Sequence, residues 1–382
     1  MSHVMIAPDK FKGSLSAPQV AAHVAAGLRR ARPRIDVREV PVADGGDGTL
    51  DAALAAGFTP VPVRASGPTG EPVATAYARR GDTAVVELAD VSGLSRLPGR
   101  RLAPLAATSF GTGEVIRHAL DDGCRTIVLG LGGSACTDGG AGMAQALGVR
   151  LLDAEGADGT DLPPGGAALA RLATVDTAGL HPAIADADIV VASDVDNPLL
   201  GEHGAAAVYG PQKGANAEQV ALLDAALARW AEVLGAPHVA RQAGAGAAGG
   251  VGFAALALLG AVLRPGIDYL LDLVGFHQHL AGASLVVTGE GSLDEQTLRG
   301  KAPAGVAAAA RAAGVPVVAV AGRCLLPAET LTASGFIAAC ALTDIEPDPR
   351  RCVANAGPLL EQLAENRLAA IIDTDTHLEE TR

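Results

Sequence analysis

The chain of 382 residues carries 29 basic against 42 acidic side chains, a net charge of −13 that repels a polyphosphate backbone or an anionic bilayer and excludes nucleic-acid or membrane-surface binding as its main business. A hydrophobic content of 49% excludes general disorder, and a length past about 250–300 residues favours two domains over one. Two biases ask to be located: 48 glycines, and lysine confined to four positions, Lys10, Lys12, Lys213 and Lys301, among cations that are otherwise Arg.

Residues 4–7 read as a buried strand and 8–15 as a loop, after which Ser16-Ala17-Pro18-Gln19 is a capping box opening a helix to about residue 30. Residues 37–42 predict a second strand, 43–48 a second loop, and 49–56 a helix stopped at Gly57. Two consecutive β-loop-α units put both loops, APDKFKGS and ADGGDG, at the carboxyl edge of a parallel sheet, where open α/β sheets bind ligands. Residues 59–104 turn to short β-like pieces such as 83–88, without a strong helix. A second α/β stretch predicts a helix over 112–120, a strand over 126–131, a loop over 132–140 and a helix ending before Gly148. A strand over 189–193 runs into the loop Asp194-Val195-Asp196-Asn197-Pro198, and 218–234 has helical periodicity around Trp230. Residues 243–263 are uncharged and long enough to span a bilayer, yet six glycines interrupt them, so they read as a glycine loop feeding a buried helix. The remainder predicts a strand at 285–288, a loop at 289–300, a helix at 302–313, strands at 315–320 and 337–342, a helix near 355–370 and a frayed tail over 373–382. The alternation implies a mainly parallel α/β architecture.

Five cysteines without metal-ligand spacing read as reduced thiols, and the N-terminus shows no secretory signal, so a cytoplasmic location is expected. Gly244-Ala245-Gly246-Ala247-Ala248-Gly249 matches a dinucleotide fingerprint in spacing but follows a helix instead of a strand, which speaks against a nicotinamide cofactor. That loop either offers N–H groups to a phosphate or lets helices pack tightly. The run Gly130 to Gly140 joins a strand to a helix and places hydroxyls among glycines, which suits an anion cradle; Asp138 within it is either part of the cradle or an N-cap. No Walker A loop is present, because Gly300-Lys301 is followed by Ala302. Asp44 and Asp47, Asp194 and Asp196, and Glu290 and Asp294 lie among Gly and Pro after predicted strands, the placement needed by a Mg²⁺ site or a general base, although turn-forming Asp is the plainer reading for each alone. Lys10 and Lys12 are the foremost candidates for phosphoryl contact, since a compact ammonium reaches a phosphate as a point charge. His277 and His279 form no cluster.

Taken in order, APDKFKGSLSA, VADGGDGT, TSFGTGEVI, GLGGSACTDGGAGM, SDVDNPLLG, YGPQKGA, GAGAAGGVG and TGEGSLDEQTLRGKAP resemble the type-1 glycerate kinases of bacteria across nearly the whole chain. The resemblance implies two α/β domains: a Rossmann-like one formed from both chain ends, 1–65 plus 282–382, and a second, 66–281, inserted between them, with the active site in the cleft. It implies ATP-dependent phosphorylation of D-glycerate to 2-phosphoglycerate with Mg²⁺, on small-molecule partners only, with no nucleic acid and no membrane and with homo-oligomerisation open. On the matching positions, Lys10, Lys12, Asp44 and Asp194 take catalytic roles, either Asp44 or Asp194 being the base. Asp47, Gly45, Gly46, Ser109 and Asn197 bind substrate, and Asp194 and Asp196 hold the metal. Gly132, Gly133, Ser134, Asp138, Gly246, Gly249, Gly250, Glu290, Asp294 and Lys301 bind nucleotide or phosphate. Ser292, where the family often has a basic residue, and Cys136-Thr137, in place of a Thr-Asn-like pair, depart from the pattern. A 3-phosphoglycerate-forming or other sugar-acid kinase, a non-catalytic sensor of glycerate or sugar diacids, and a dehydrogenase are the competing readings.

Overall fold

The structure, a computed structural model, describes residues 2–153, 159–298 and 300–372; the tail expected over 373–382 lies outside the described residues. Its strands are β1 (His3–Pro8), β2 (Val37–Glu39), β3 (Thr59–Ser66), β4 (Pro72–Arg80), β5 (Thr83–Glu87), β6 (Thr126–Gly130), β7 (Arg150–Asp153), β8 (Leu172–Asp176), β9 (Asp188–Ala192), β10 (Val262–Arg264), β11 (Ala283–Leu293), β12 (Val317–Cys324) and β13 (Ala338–Ala341). They fall into two compact units: one comprises the chain up to Asp44, Asp51–Ala56 and the chain from Ile267, the other Gly45–Leu50 and Gly57–Gly266.

The first unit is built on a five-stranded sheet in the order β13-β12-β11-β1-β2, every neighbouring pair parallel. Alternation along β1 sends Met5 and Ala7 into one apolar cluster and Val4 and Ile6 into another, so the strand is apolar throughout because both faces are covered. The helix Ala17–Ala31 begins at the expected capping box, with Ser16 N donating to Gln19 Oε1 at 2.9 Å. It buries Val20, Val24 and Leu28 beside Ile6 and Leu360, each such side chain contributing about 1.5–3 kcal/mol. Counting strands along this unit alone, the order is 2-1-3-4-5, the flavodoxin-like winding, and its switch point lies between β1 and β11.

The second unit holds a six-stranded sheet, β10-β9-β6-β5-β4-β3, in which β10 to β5 run parallel and β4 and β3 return antiparallel, and a separate β7-β8 pair.

The unit boundaries differ from those expected. Residues 57–65 belong to the second unit because β3 pairs with β4 from Thr59↔Arg79 to Ser66↔Pro72. Residues 267–281 belong to the first, where Ile267, Leu270 and Phe276 join the cluster of Val286 and Val306. The ADGGDG block is divided between Asp44 and Gly45. β11 extends to Leu293 because Ser292 and Leu293 pair with Arg323 and Cys324, so Glu290 stands in a strand where a loop was expected. The glycine-rich stretch yields a buried helix, Ala247–Leu258, and then β10, whose three residues are too few to show a period. Among the described residues, no helix is long and apolar enough to cross a membrane.

Candidate active site

In the first unit, β1 delivers Asp9, Lys10 and Lys12 to the switch point. Asp9 N donates to Gly289 O of β11 at 2.8 Å, and a Cβ on Gly291 would stand 3.3 Å from Lys12 N, so the lysine loop lies directly against the GEG segment of β11. Asp9 is half-buried and accepts from Lys10 N at 2.7 Å. Burial, then the negative charge of Asp44, push its carboxyl well above the usual carboxylate range, with Glu290 adding to the effect and Lys10 opposing it. Glu290 is shifted upward as well, chiefly by burial. It accepts from Thr297 Oγ1 at 2.6 Å and pairs with Lys301 Nζ at 3.6 Å. Asp294 accepts from Gln296 N, while its own N–H donates to Thr297 Oγ1. The structure therefore gathers Lys10, Asp44, Glu290 and Lys301, and adds Asp9. Electrostatically, the fold resists ionisation of Asp9 and Glu290, and ammonium groups stand against them.

In the second unit, the carboxyl edge of β5, β6 and β9 carries the rest. Gly45 and Gly46 approach that edge so closely that a Cβ on Gly45 would lie 2.3 Å from Ala192 O, and one on Gly132 would lie 2.4 Å from Gly46 Cα. Glu87, at the end of β5, accepts from Gly48 N at 3.1 Å and Leu50 N at 2.8 Å and so pins the GGDG turn. Asp47 and Gly133 are the exposed tips of these loops. Asp194 and Asp196 are exposed at the end of β9, with Asp194 Oδ1 accepting from Gly266 N at 2.9 Å. Among the described residues no three His, Cys, Asp or Glu side chains gather into a cation site. A Mg²⁺ ion carried on one or two carboxylates and phosphate oxygens needs no such cage, and two exposed carboxylates two residues apart give it the hard oxygen donors it takes.

Several residues expected to touch ligand are instead used by the fold. Asp138 is fully buried and accepts from Thr108 Oγ1, Ser109 N, Ser109 Oγ, Gly140 N and Gly142 N at 2.8–3.2 Å, so it shapes its loop and caps the helix Ala141–Ala146 instead of meeting a phosphate. Ser109, also fully buried, donates to Asp138 and accepts from Met143 N at 2.9 Å, which leaves no route to substrate. Asn197 is engaged at both ends of its amide, donating to His203 O and accepting from Tyr209 Oη. Gly246, Gly249 and Gly250 are buried, and the tight approach they permit is to protein: a Cβ on Gly249, which has φ +70°, would lie 2.1 Å from Cys136 O. Gly249 O accepts from Gly139 N and Gly246 N donates to Asn197 O, so tight packing is the reading that the geometry supports for this loop.

The sequence expectations leave out Asp9 and Glu87 and give Lys213 no role. Asp9 is the acid immediately before Lys10 in APDKFKGS, and Glu87 ends an apolar run as the other strand-end acids do; either position could have been flagged. Lys213 was noticed only for its rarity. The ammonium is buried and donates to Ser134 Oγ at 2.8 Å and to Cys136 O.

Comparison with known proteins agrees with this architecture. A sequence model described as the glycerate kinase family matches residues 4–372. A glycerate kinase of Halalkalibacterium halodurans is 43% identical over 96% of this chain and 97% of its own length. A glycerate 2-kinase of Escherichia coli K12 is 45% identical over 84% of both chains. The crystal structure of a glycerate kinase 2 from Salmonella typhimurium LT2 superposes with a TM-score of 0.82, at 43% identity, covering 98% of this chain and 99% of that one. With the family sequence matched almost end to end and the fold shared at that level, the chain is an enzyme of the glycerate kinase family.

Proposed function

We propose that the chain transfers the γ-phosphoryl group of ATP to the 2-hydroxyl of D-glycerate, with Mg²⁺ as cofactor. The observation that carries this reading is the switch-point cluster of the first unit, where Lys10 and Lys12 follow β1 and Asp9, whose carboxyl has a raised proton affinity, stands beside Lys10. Phosphoryl transfer asks the protein to hold two anions in line and neutralise charge, with one base for the acceptor hydroxyl. Lys10 and Lys12 supply the positive charge. Asp44 takes the hydroxyl proton as the glycerate oxygen bonds to the γ-phosphorus and the bond from that phosphorus to the β,γ-bridging oxygen breaks, releasing ADP.

Asp44 is preferred to Asp194 as the base because it stands near enough to Asp9 for their charges to interact, in the cluster that holds Lys10, whereas Asp194 is exposed at the end of β9 beside Asp196. Asp194 and Asp196 would hold the metal, which would supply positive charge against the phosphate oxygens. In the second unit, Gly45, Gly46 and Asp47 bind the glycerate hydroxyls and Gly132, Gly133 and Ser134 the nucleotide phosphates; in the first, Glu290 orients Lys301 toward the nucleotide, with Asp294 holding that turn. The name of the Escherichia coli relative favours the 2-position. Five free thiols, four of them buried, fit a reducing cytoplasm.

Incubation with ATP, Mg²⁺ and D-glycerate, followed by ³¹P NMR, tests this: a single 2-phosphoglycerate resonance that requires all three components is expected. A 3-phosphoglycerate resonance would move the acceptor hydroxyl, and ATP consumption independent of glycerate would overturn the reading.

A further inference from the structure

Lys213 is 2% exposed, and among the described residues no carboxylate lies within ion-pair distance of it. Its hydrogen bonds are to Ser134 Oγ at 2.8 Å and to the backbone carbonyl of Cys136. Burial pulls the ammonium's pKa down, while Asp138 and the Cys136 thiol act to raise it. A lone buried lysine is expensive unless its protons are placed, and here they are placed on one loop. The other attachments of that loop are equally fixed: Trp230 Nε1 donates to Gly139 O at 3.0 Å, Gly139 N donates to Gly249 O at 2.9 Å, and Asp138 is held by its donors from Thr108 and Ser109. At the tip, Gly132 N donates to Gly45 O at 3.3 Å and Gly133 O accepts from Leu94 N at 3.0 Å, which leaves Gly133 exposed with the buried Ser134 next to it.

The chemistry of Ser134 follows from which partner it has. A hydroxyl has one proton and two lone pairs, and Lys213 occupies a lone pair. No protein acceptor for the Ser134 proton is present among the described residues. An oxygen that accepts from a cation is polarised, which makes its own O–H a better donor. Ser134 thus carries a proton it can give to an anion at the exposed end of the loop.

We propose that Lys213 is a positioning residue for the nucleotide phosphates, acting through Ser134: it fixes the hydroxyl as an obligate donor toward a phosphate oxygen at the Gly132–Gly133 tip. This rests on the reading of that loop as the nucleotide's phosphate site. Lys213 itself touches no substrate. Arg is a poor replacement, because its planar fork does not fit two acceptors arranged around a compact buried point charge.

The test compares Lys213→Met, Lys213→Arg, Ser134→Ala and the double variant Lys213→Met/Ser134→Ala in the full chain. It measures ADP binding by calorimetry, KM for ATP and for glycerate, kcat, and Tm. Ser134→Ala is expected to weaken ADP binding and raise KM for ATP by about 10- to 100-fold, the size expected for loss of one charge-directed hydrogen bond, with KM for glycerate held within about twofold. Lys213→Met is expected to match it, Lys213→Arg to rescue it incompletely, and the double variant to cost no more than the larger single one. Additive losses, or a lowered Tm in Lys213→Met with ADP affinity unchanged, would overturn the proposal. Where Lys213→Met does not fold, Ser134→Ala decides alone, and ADP affinity within about twofold of the parent would overturn it. Failure of the underlying reading is seen separately, as a parent protein that binds no ADP or transfers no phosphoryl group to glycerate.

Discussion

The loop cluster at the β1/β11 switch point and the loop network around residues 132–140 are both made of glycines and acids at strand ends, yet they treat charge in opposite ways. Around β1, Asp9 and Glu290 are held where ionisation is costly, with Asp44 worsening the crowding. In the network of the second unit, Asp138 is given five donors and Glu87 at least two, so each carboxylate is satisfied by the fold itself. Charge held at a cost is what a bound ligand could relieve; charge met by five donors is what fixes a backbone in place. Acids that look alike in sequence therefore divide into those costly to ionise, the candidates to act, and those that hold the backbone.

Variants can break this comparison. Asp138→Ala has the largest expected effect: it leaves two buried hydroxyls and several N–H groups without their acceptor, and should destabilise the protein by about 3–5 kcal/mol, read from urea unfolding. If stability stays near that of the parent while activity is lost, Asp138 belongs with the acting acids. Lys10→Ala is the converse. It should lower kcat by about 10²–10³, the cost of removing one preorganised charge stabiliser, and leave Tm within a degree or two. Glu290→Gln is intermediate. It keeps an acceptor for Thr297 while discharging the partner of Lys301, and should raise KM for ATP several-fold, as expected for loss of one ion pair whose lysine end is partly exposed, with kcat less affected.

Legibility followed the same division. The β-loop-α units, the capping box at Ser16 and the placement of acids at strand ends were readable because each depends on local chemistry: apolar runs, a Ser-to-Gln spacing, Gly after a helix. The pairing of β3 with β4 and the incorporation of Ile267 and Phe276 into the first unit's core were not, since both are decided by partners far away in sequence. The same holds within the site. A block such as GLGGSACTDGG announces a loop that tolerates close approach, but whether the neighbour is a phosphate or Cys136 O against Gly249 is a tertiary fact. Lys213 stood out as a rare residue, and only its burial against Ser134 and Cys136 showed that it works inward.

The smallest expected effect is also the sharpest on the comparison, because it reverses the usual sign of a carboxylate's contribution. The Asp9 carboxyl is shifted upward from 3.8, so between the unfolded and folded values the native state binds more protons than the unfolded one, and stability falls as pH rises through that window. Below about pH 4 both states are protonated and the penalty is absent. Asp9→Asn removes the ionisable group, so Tm should rise modestly over the parent at pH 7, and the gap should close as pH is lowered toward 4. An Asp9 whose carboxyl were instead stabilised in its charged form would give the opposite result, a variant less stable at neutral pH whose deficit shrinks in acid. A cluster whose carboxyls are costly to ionise should relax when one of its own charges is taken away, and thermal unfolding followed across that pH range measures whether it does.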